Sequence, residues 1–305
     1  MSRNPIPWTP ADIPDLTDRT VLITGANSGL GLESTRRLAQ RGAHVIMACR
    51  NREKGQSAMD HIRARAPDVD LNLMQLDLSD LSSIRDFAQR INDHYPKLDI
   101  LLNNAGVMAP PLQYTRDGFE MQFGTNHLGH FALTGLLMDR LRAAERARVV
   151  TVSSLAHRIG SLDFENLDAS RGYQRWRFYG QSKLANLMFA LEFDRRLRSA
   201  RDTIQSIAVH PGYSATNLQR TIPGHSLFNA VTAQSQEKGA YPSVFAATSP
   251  QAEPGQYYGP HGFQELWGMP AEANIRRLAR NQEVAHKLWS VSEDLTGVRY
   301  ADLER

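Results

Sequence analysis

The sequence predicts a doubly wound α/β fold, in which helices cover both faces of a parallel sheet. Two observations lead to this prediction. Short apolar segments of strand length alternate with helical patterns along the 305 residues, as in parallel sheets that are buried on both faces. Glycine-rich or polar motifs follow the ends of several of these segments. Because such sheets bind ligands beyond the carboxyl ends of their strands, we expect a single site at that edge.

The first predicted strand, 20–24, leads directly into a glycine-rich turn. Residues 24–31 read Thr-Gly-Ala-Asn-Ser-Gly-Leu-Gly, and a helical pattern follows to Ala39. Glycines allow the backbone to approach a pyrophosphate closely, and a helix N-terminus offers free N–H groups to an anion. The spacing differs from the usual dinucleotide fingerprint, so a glycine-rich helix start without a ligand stays an alternative. The candidate cofactor-binding residues here are Gly25, Asn27, Ser28, Gly29, Leu30 and Gly31.

The remaining strands are predicted from further apolar segments, and the helices lie between them. The strands are expected at 44–49, 71–76, 98–102, 148–152 and 204–209. A long helix is expected over 119–144, and another carries Tyr179 to about residue 197. The pattern continues without a linker. We therefore expect an N-terminal extension at 1–15 and one domain at 16–305.

Composition excludes several classes of protein. The single cysteine, Cys49, rules out an internal disulfide. The net charge of +3 is carried by scattered arginines, which do not form the basic stripe of a nucleic-acid-binding protein. No apolar segment is long enough to span a membrane, and the histidines lack the spacing of metal ligands.

Tyr179 and Lys183 form a candidate acid–base pair. They lie four residues apart and share one face of the predicted helix. A cation beside a phenol lowers the tyrosine pKa, which would make Tyr179 a usable general acid or base near neutral pH. Surface helices often carry such a pair without a function. Here, however, a strand that ends in Ser153 and Ser154 precedes it.

These motifs together resemble those of the short-chain dehydrogenase/reductase family, over residues 16–300. Residues 47–51, 126–131 and 153–157 are similar to its retinol-dehydrogenase-like and WW-domain-oxidoreductase-like branch. The resemblance implies a Rossmann-like fold, a nicotinamide cofactor and a small-molecule substrate. The matching motifs are the glycine-rich turn, Asn103-Asn104-Ala105-Gly106, Asn126-His127-Leu128-Gly129, Ser153-Ser154, Tyr179 with Lys183, and Pro211-Gly212 with Thr216.

The resemblance also implies a role for each motif. Tyr179 would exchange a proton with the substrate oxygen, and Ser154, rather than Ser153, would hydrogen-bond that oxygen. Lys183 would bind the nicotinamide ribose. Asn126 would order a water-linked proton relay, or it is a polar helix residue bonded to nearby backbone. The other implied cofactor-binding residues are Asp77, Leu78, Asn104, Ala105, Gly106, Pro211, Gly212 and Thr216.

Arg50 favours NADP(H) over NAD(H). NAD-selective enzymes place an acidic side chain at the end of the second strand, where this chain has Arg50. A carboxylate would repel a 2′-phosphate, whereas a guanidinium binds one. The alternative is that Arg50 is a solvated residue before a helix. By resemblance, Asp77 receives the adenine amino group. It could equally cap the helix that starts near Leu81, with Ser79 and Asp80 as rivals.

The resemblance therefore implies hydride transfer to or from a lipophilic or polycyclic carbonyl or alcohol. Reduction of a quinone or conjugated double bond is an alternative, although Cys49 is expected at the adenine end, away from the chemistry. A non-catalytic NADP-binding sensor is a further alternative. Retention of the four catalytic candidates argues against it. By resemblance, residues 256–260 form the last strand, and about 213–238, after the sixth strand, is a substrate loop. Its part 219–238 is expected to cover the substrate, or it is an ordinary surface excursion. We expect a cytoplasmic protein without a membrane anchor, and formation of a homo-oligomer stays open.

Overall fold

The computed structural model describes residues 5–213 and 234–303, in which eight strands form one sheet. The strand order is β3-β2-β1-β4-β5-β6-β7-β8. Every neighbouring pair is parallel except β7 with β8. The predicted doubly wound parallel sheet is thus confirmed. The strands are β1 Thr20–Thr24, β2 His44–Cys49, β3 Leu71–Gln75, β4 Ile100–Asn103, β5 Arg148–Val152, β6 Gln205–Val209, β7 Tyr257–Pro260 and β8 Pro270–Glu272.

Helices pack on both faces of the sheet. In β1, Val21 and Ile23 join the core on the face of α1, whereas Leu22 joins the core on the face of α3, because successive strand residues point to opposite faces. The helices are α1 Gly29–Ala39, α2 Arg52–Arg63, α3 Leu81–His94, α4 Met121–Phe123, α5 Gly129–Leu136, α6 Met138–Arg142, α7 Arg175–Ser199, α8 Gln236–Gly239, α9 Tyr241–Thr248 and α10 Gln282–Thr296.

The long helix predicted over 119–144 is confirmed in part. The backbone is helical from Met121 to Leu136, with a π-helical turn, Gly124–Leu128, between α4 and α5, and Leu137 then interrupts the helix before α6. Gly129 follows this turn. A Cβ atom at position 129 would lie 2.5 Å from the Leu78 carbonyl oxygen, so the close approach requires glycine. π-Helical turns often occur at functional sites, and hydrophobic periodicity does not reveal them.

The stretch expected as an N-terminal extension packs onto the domain where the structure describes it. Trp8 is buried, and its ring makes edge contacts with Tyr241 and Phe245. The Ile6 N–H donates to the carbonyl oxygen of Pro270 in β8 at 2.9 Å. Ile6 therefore bonds the edge of the sheet at β8, and Trp8, Ile13 and Leu16 extend the core.

Thr24 joins the end of β1 to the end of β4. Its Oγ1 accepts the N–H groups of Asn104 and Ala105, both at 2.9 Å, and lies 2.9 Å from His130 Nε2. His130 Nδ1 lies 2.8 Å from the Asn126 carbonyl oxygen. Because a carbonyl only accepts, Nδ1 carries the ring proton, and the Thr24 hydroxyl donates to Nε2. Burial lowers the pKa of His130 to about 4, which keeps the ring neutral as this arrangement requires.

Replacing Thr24→Val should destabilise the protein although the side-chain shape is kept. The change leaves two N–H groups and the His130 Nε2 acceptor buried without a partner, so we expect a loss of about 3 kcal/mol in the free energy of unfolding. Urea unfolding would measure it. Thr24→Ser retains the hydroxyl and should cost about 1 kcal/mol or less. Equal losses in both variants would mean that the methyl group, not the hydroxyl, stabilises this junction.

Candidate active site

A cavity of about 830 Å³ opens at the carboxyl ends of the central strands. Nearly all the predicted site residues line it. Asn126 does not, and Thr216 lies outside the described residues, as do positions 214–233 of the predicted substrate loop. The predicted residues in the lining are Gly25, Asn27, Ser28, Gly29, Leu30, Gly31, Arg50, Asp77, Leu78, Asn104, Ala105, Gly106, Ser154, Tyr179, Lys183, Pro211 and Gly212.

The glycine-rich turn folds tightly against β4. Gly25 has a φ of +67°, a conformation that favours glycine. A Cβ atom on Gly31 would lie 2.4 Å from the Gly25 carbonyl oxygen and 2.6 Å from Asn104 Nδ2. Ser28 precedes α1 without a capping hydrogen bond from its side chain. The turn therefore brings the N-terminus of α1 to the cavity wall, an arrangement that fits a pyrophosphate.

Two cationic side chains line the cavity next to the end of β2. Arg50, which was predicted from the sequence, is exposed there. Lys54 was not predicted and also lines the cavity. The Asn51 side chain caps α2 by accepting the Lys54 N–H at 2.8 Å, which places Lys54 in the first helical turn beside Arg50. A capping asparagine directly after Arg50 was the sequence signal for this placement.

Asp77 does not cap α3. Asp80 is the cap, since its Oδ1 accepts the N–H groups of Ser82 and Ser83 at 2.9 and 3.3 Å. Asp77 Oδ1 instead accepts from the N–H and the hydroxyl of Ser79, at 2.9 and 2.6 Å. Of the two roles left open for Asp77, the helix cap is wrong. The residue lies in the cavity wall at the end of the sheet where the adenine is expected.

Tyr179, Lys183 and Ser154 meet in the middle of the cavity. Tyr179 and Lys183 are both buried on one face of α7, and the Ser154 side chain is near enough to the Tyr179 phenol to lower its pKa. The neighbouring Ser153 is turned away, because its Oγ donates to the Lys183 carbonyl oxygen at 2.7 Å. Of the two serines, Ser154 is therefore the one placed next to the phenol.

The predicted lowering of the Tyr179 pKa is wrong for the polypeptide alone. Burial raises the pKa of Tyr179 to about 12, and the nearby Ser154 side chain offsets only part of this rise. Lys183 Nζ lies 5.8 Å from the centre of the Tyr179 ring and donates to the Val152 carbonyl oxygen at 3.2 Å. Burial also lowers the pKa of Lys183 to about 8. Loss of water around each group is thus the main cause of both shifts.

Asn126 lies behind the cavity wall and connects two of its parts. Its Oδ1 accepts the Val107 N–H at 2.8 Å, and its Nδ2 donates to the Val107 carbonyl at 3.0 Å and to Ser182 Oγ at 2.9 Å. These contacts match the interpretation of Asn126 as a polar residue bonded to nearby backbone. They tie the turn after β4 to α7, one residue before Lys183.

The end of the cavity beyond Tyr179 contains no acidic or basic residue in the described lining. The Trp176 and Tyr179 rings pack edge to face, with their centres 6.1 Å apart. We call this uncharged part, where a substrate is expected to bind, the substrate end. None of its residues was among the site residues predicted from the sequence. The described residues that form it are Val107, Met108, Leu155, Ala156, Trp176 and Tyr213.

The described residues include neither a membrane-spanning helix nor a cluster of metal ligands. Across 5–213 and 234–303, no helix is long and apolar enough to cross a membrane. In the same residues, no group of three His, Cys, Asp or Glu side chains could hold a metal ion.

Comparison with known proteins identifies the family. A model of the short chain dehydrogenase family matches residues 19–226. Retinol dehydrogenase 12 of Mus musculus is 42% identical over 287 residues, with 92% of this chain and 87% of that protein covered. Retinol dehydrogenase 13 of Homo sapiens is 40% identical over 292 residues, with 92% and 85% covered.

Solved structures agree in fold. A protein from Mycobacterium paratuberculosis is 43% identical with a TM-score of 0.81, covering 96% of this chain and 98% of its own. A short chain dehydrogenase from Escherichia coli CFT073, complexed with NADPH, is 23% identical with a TM-score of 0.64, covering 80% and 97%. This chain therefore belongs to the short-chain dehydrogenase family, in its retinol-dehydrogenase-like branch, and is an oxidoreductase.

Proposed function

We propose that the protein transfers a hydride between NADP(H) and the carbonyl or alcohol carbon of an apolar small molecule. One observation carries this proposal: a single cavity holds the glycine-rich turn with Arg50 at one end, Tyr179 in the middle and an uncharged end beyond it. The bound nicotinamide would supply the hydride. The polypeptide would supply binding, orientation and the proton.

Tyr179 is proposed as the proton donor. Because its pKa is raised to about 12, the hydroxyl is protonated at neutral pH and can donate to a carbonyl oxygen. The Ser154 side chain would hydrogen-bond the same oxygen and stabilise its developing negative charge. A phenol that holds its proton so firmly is a poor base. Oxidation of an alcohol would require the ionised phenol, which the polypeptide alone does not favour.

An apolar substrate is supported by the cavity and by the relatives. The substrate end offers aliphatic and aromatic side chains without a charge, so ionic groups on a substrate would lose hydration without gaining a partner. The names of the relatives, retinol dehydrogenases 12 and 13, refer to an apolar alcohol. Reduction of a double bond through a cysteine acid has no such support. Cys49 is buried outside the cavity lining, and burial raises its pKa to about 11.

Arg50→Asp should discriminate between the two nicotinamide cofactors. If Arg50 binds the 2′-phosphate, the variant loses a charge-assisted bond, so NADPH affinity should fall by about one to two decades while NADH affinity changes little. Fluorescence titration with each cofactor measures this. Arg52→Asp is the matched control, because it makes the same charge change on a residue outside the cavity lining. Equal losses of affinity for NADPH and NADH would contradict the assignment of Arg50 to the 2′-phosphate.

Tyr179→Phe should abolish most turnover and spare cofactor binding. Removal of a general acid costs about 10²–10⁴ in kcat, whereas the NADPH Kd should change by less than about twofold. Tyr173→Phe is the control, since its hydroxyl bonds the Pro110 carbonyl outside the cavity. Carbonyl and quinone substrates should be screened for NADPH consumption. Tight NADPH binding without any turnover in the native protein would favour a sensor instead.

NADPH affinity should also depend on pH through Lys183. Because burial lowers the Lys183 pKa to about 8, its ammonium is present below that pH and lost above it, earlier than in an exposed lysine. If the ammonium binds the nicotinamide ribose, affinity should be steady below about pH 8 and weaken above it. Titrations from about pH 7 to about pH 10 should show this fall in the native protein. An equal fall in Lys183→Met would contradict the assignment.

A further inference from the structure

We propose that Glu265 is a positioning residue whose carboxylate, acting through His210, fixes the backbone at the substrate end of the cavity. Glu265 belongs to none of the sequence motifs described above. The inference rests on the proposed function only in naming that end as the place where the substrate binds. The geometry that carries it involves the turn after β6 and the loop 262–268 between β7 and β8.

The Glu265 carboxylate is buried, 5% exposed, and bonded on both oxygens. Oε2 accepts from Arg158 Nη2 at 2.6 Å and lies 3.1 Å from His210 Nε2. Oε1 accepts from the N–H and Nδ2 of Asn274 at 2.9 and 2.6 Å. Burial alone would raise the pKa of Glu265, but the bonds from His210, Asn274 and Arg158 bring it below its usual value. The group is thus ionised and connects its own loop to three other parts of the chain.

His210 transmits this anchor to the turn after β6. It is fully buried, and its Nδ1 accepts the Gly212 N–H at 3.2 Å. Because a backbone N–H only donates, Nδ1 carries no proton, and Nε2–H must donate to Glu265. The carboxylate therefore selects the tautomer that binds Gly212. Burial lowers the pKa of His210, which keeps the ring in this neutral form.

Loop 262–268 also holds both chain ends that flank positions 214–233. The Tyr213 N–H donates to the Leu266 carbonyl at 2.8 Å. The Gln234 N–H donates to the Tyr213 carbonyl at 3.0 Å, and its Nε2 donates to the Pro211 carbonyl at 2.6 Å. Gly268 N–H donates to Gln234 Oε1 at 3.3 Å. Since Pro211 and Tyr213 line the cavity, the position of this loop sets the wall that faces a substrate.

The backbone around Glu265 is strained. Gln264 and Glu265 have φ values of 49° and 64°, in the left-handed region that non-glycine residues seldom adopt. Gly212 packs against this turn. Its φ is +68°, and a Cβ atom at this position would lie 2.4 Å from the Leu266 carbonyl oxygen. Strain of this kind persists only where the surroundings enforce it, and it is concentrated at functional sites. The four bonds to the Glu265 carboxylate provide that enforcement.

Glu265→Gln tests the proposal with little change in shape. An amide has one accepting and one donating end, so either orientation turns its NH₂ group towards donors: Arg158 and His210, or Asn274. We expect amide hydrogen exchange in peptides containing Gly212 and Tyr213 to become about tenfold faster. The KM for an apolar test aldehyde, retinal, should rise about tenfold with a smaller change in kcat. The affinity for adenosine 2′,5′-bisphosphate, which occupies only the adenine end, should stay unchanged.

Glu192→Gln is the matched control. Glu192 is likewise buried and bound by two arginines, Arg195 and Arg196, but it lies on α7 outside the cavity lining. It should lower stability without altering exchange at Gly212 or the KM. If Glu265→Gln affects only stability, as Glu192→Gln does, the proposal is overturned.

A milder variant keeps the proposal testable if Glu265→Gln fails to fold. Arg158→Met removes one carboxylate partner from a partly exposed position and should change exchange and KM in the same direction. Unchanged exchange in this variant would also overturn the proposal. The exchange measurement needs neither cofactor nor substrate. It therefore tests the role of Glu265 even if the proposed NADP(H)-dependent activity is not found. Unchanged exchange, in turn, would overturn the role of Glu265 without contradicting the roles of Arg50 and Tyr179.

Discussion

The hydroxyl of Thr24 is the contact on which the geometry of the site depends. It accepts two backbone N–H groups from the turn after β4 and donates to His130, which in turn donates to the Asn126 carbonyl. The glycine-rich turn begins one residue later. Strand β1, the turn after β4 and the π-helical turn therefore cannot shift independently, because any displacement would leave a buried polar group unpaired.

Asn126 extends this connection to α7. Its side chain binds both backbone groups of Val107 and the hydroxyl of Ser182 in α7, next to Lys183. It lies in the π-helical turn, where its carbonyl accepts from His130 while its side chain reaches another helix. The contacts of Asn126 are those of a connecting residue, in a turn that regular helical periodicity does not predict.

Spacing predicted the parts of the site that depend on helix and strand geometry. Tyr179 and Lys183 share a face of α7 because four residues make about one helical turn. β1, β2 and β5 have the bounds that were predicted from the sequence. Spacing did not predict the Tyr179 pKa, because the burial that raises it to about 12 arises from the packing of distant segments.

Glu265 escaped prediction for a related reason. Its turn is left-handed without a glycine at either Gln264 or Glu265, so the sequence carries no turn signal there. Its partners come from three other parts of the chain, represented by Arg158, His210 and Asn274. β8 was missed as well, since three residues that begin with proline are too short to show a strand pattern.

Two buried histidines with opposite tautomers hold the two ends of the cavity. His130 carries its proton on Nδ1 because it faces the Asn126 carbonyl, whereas His210 carries it on Nε2 because its Nδ1 faces the Gly212 N–H. Burial lowers both pKa values, and a second proton on either ring would oppose a donor. Each end of the cavity thus depends on its own hydrogen-bond network, built around a neutral imidazole. Because the two networks share no residue, a change at one histidine leaves the hydrogen bonds of the other in place.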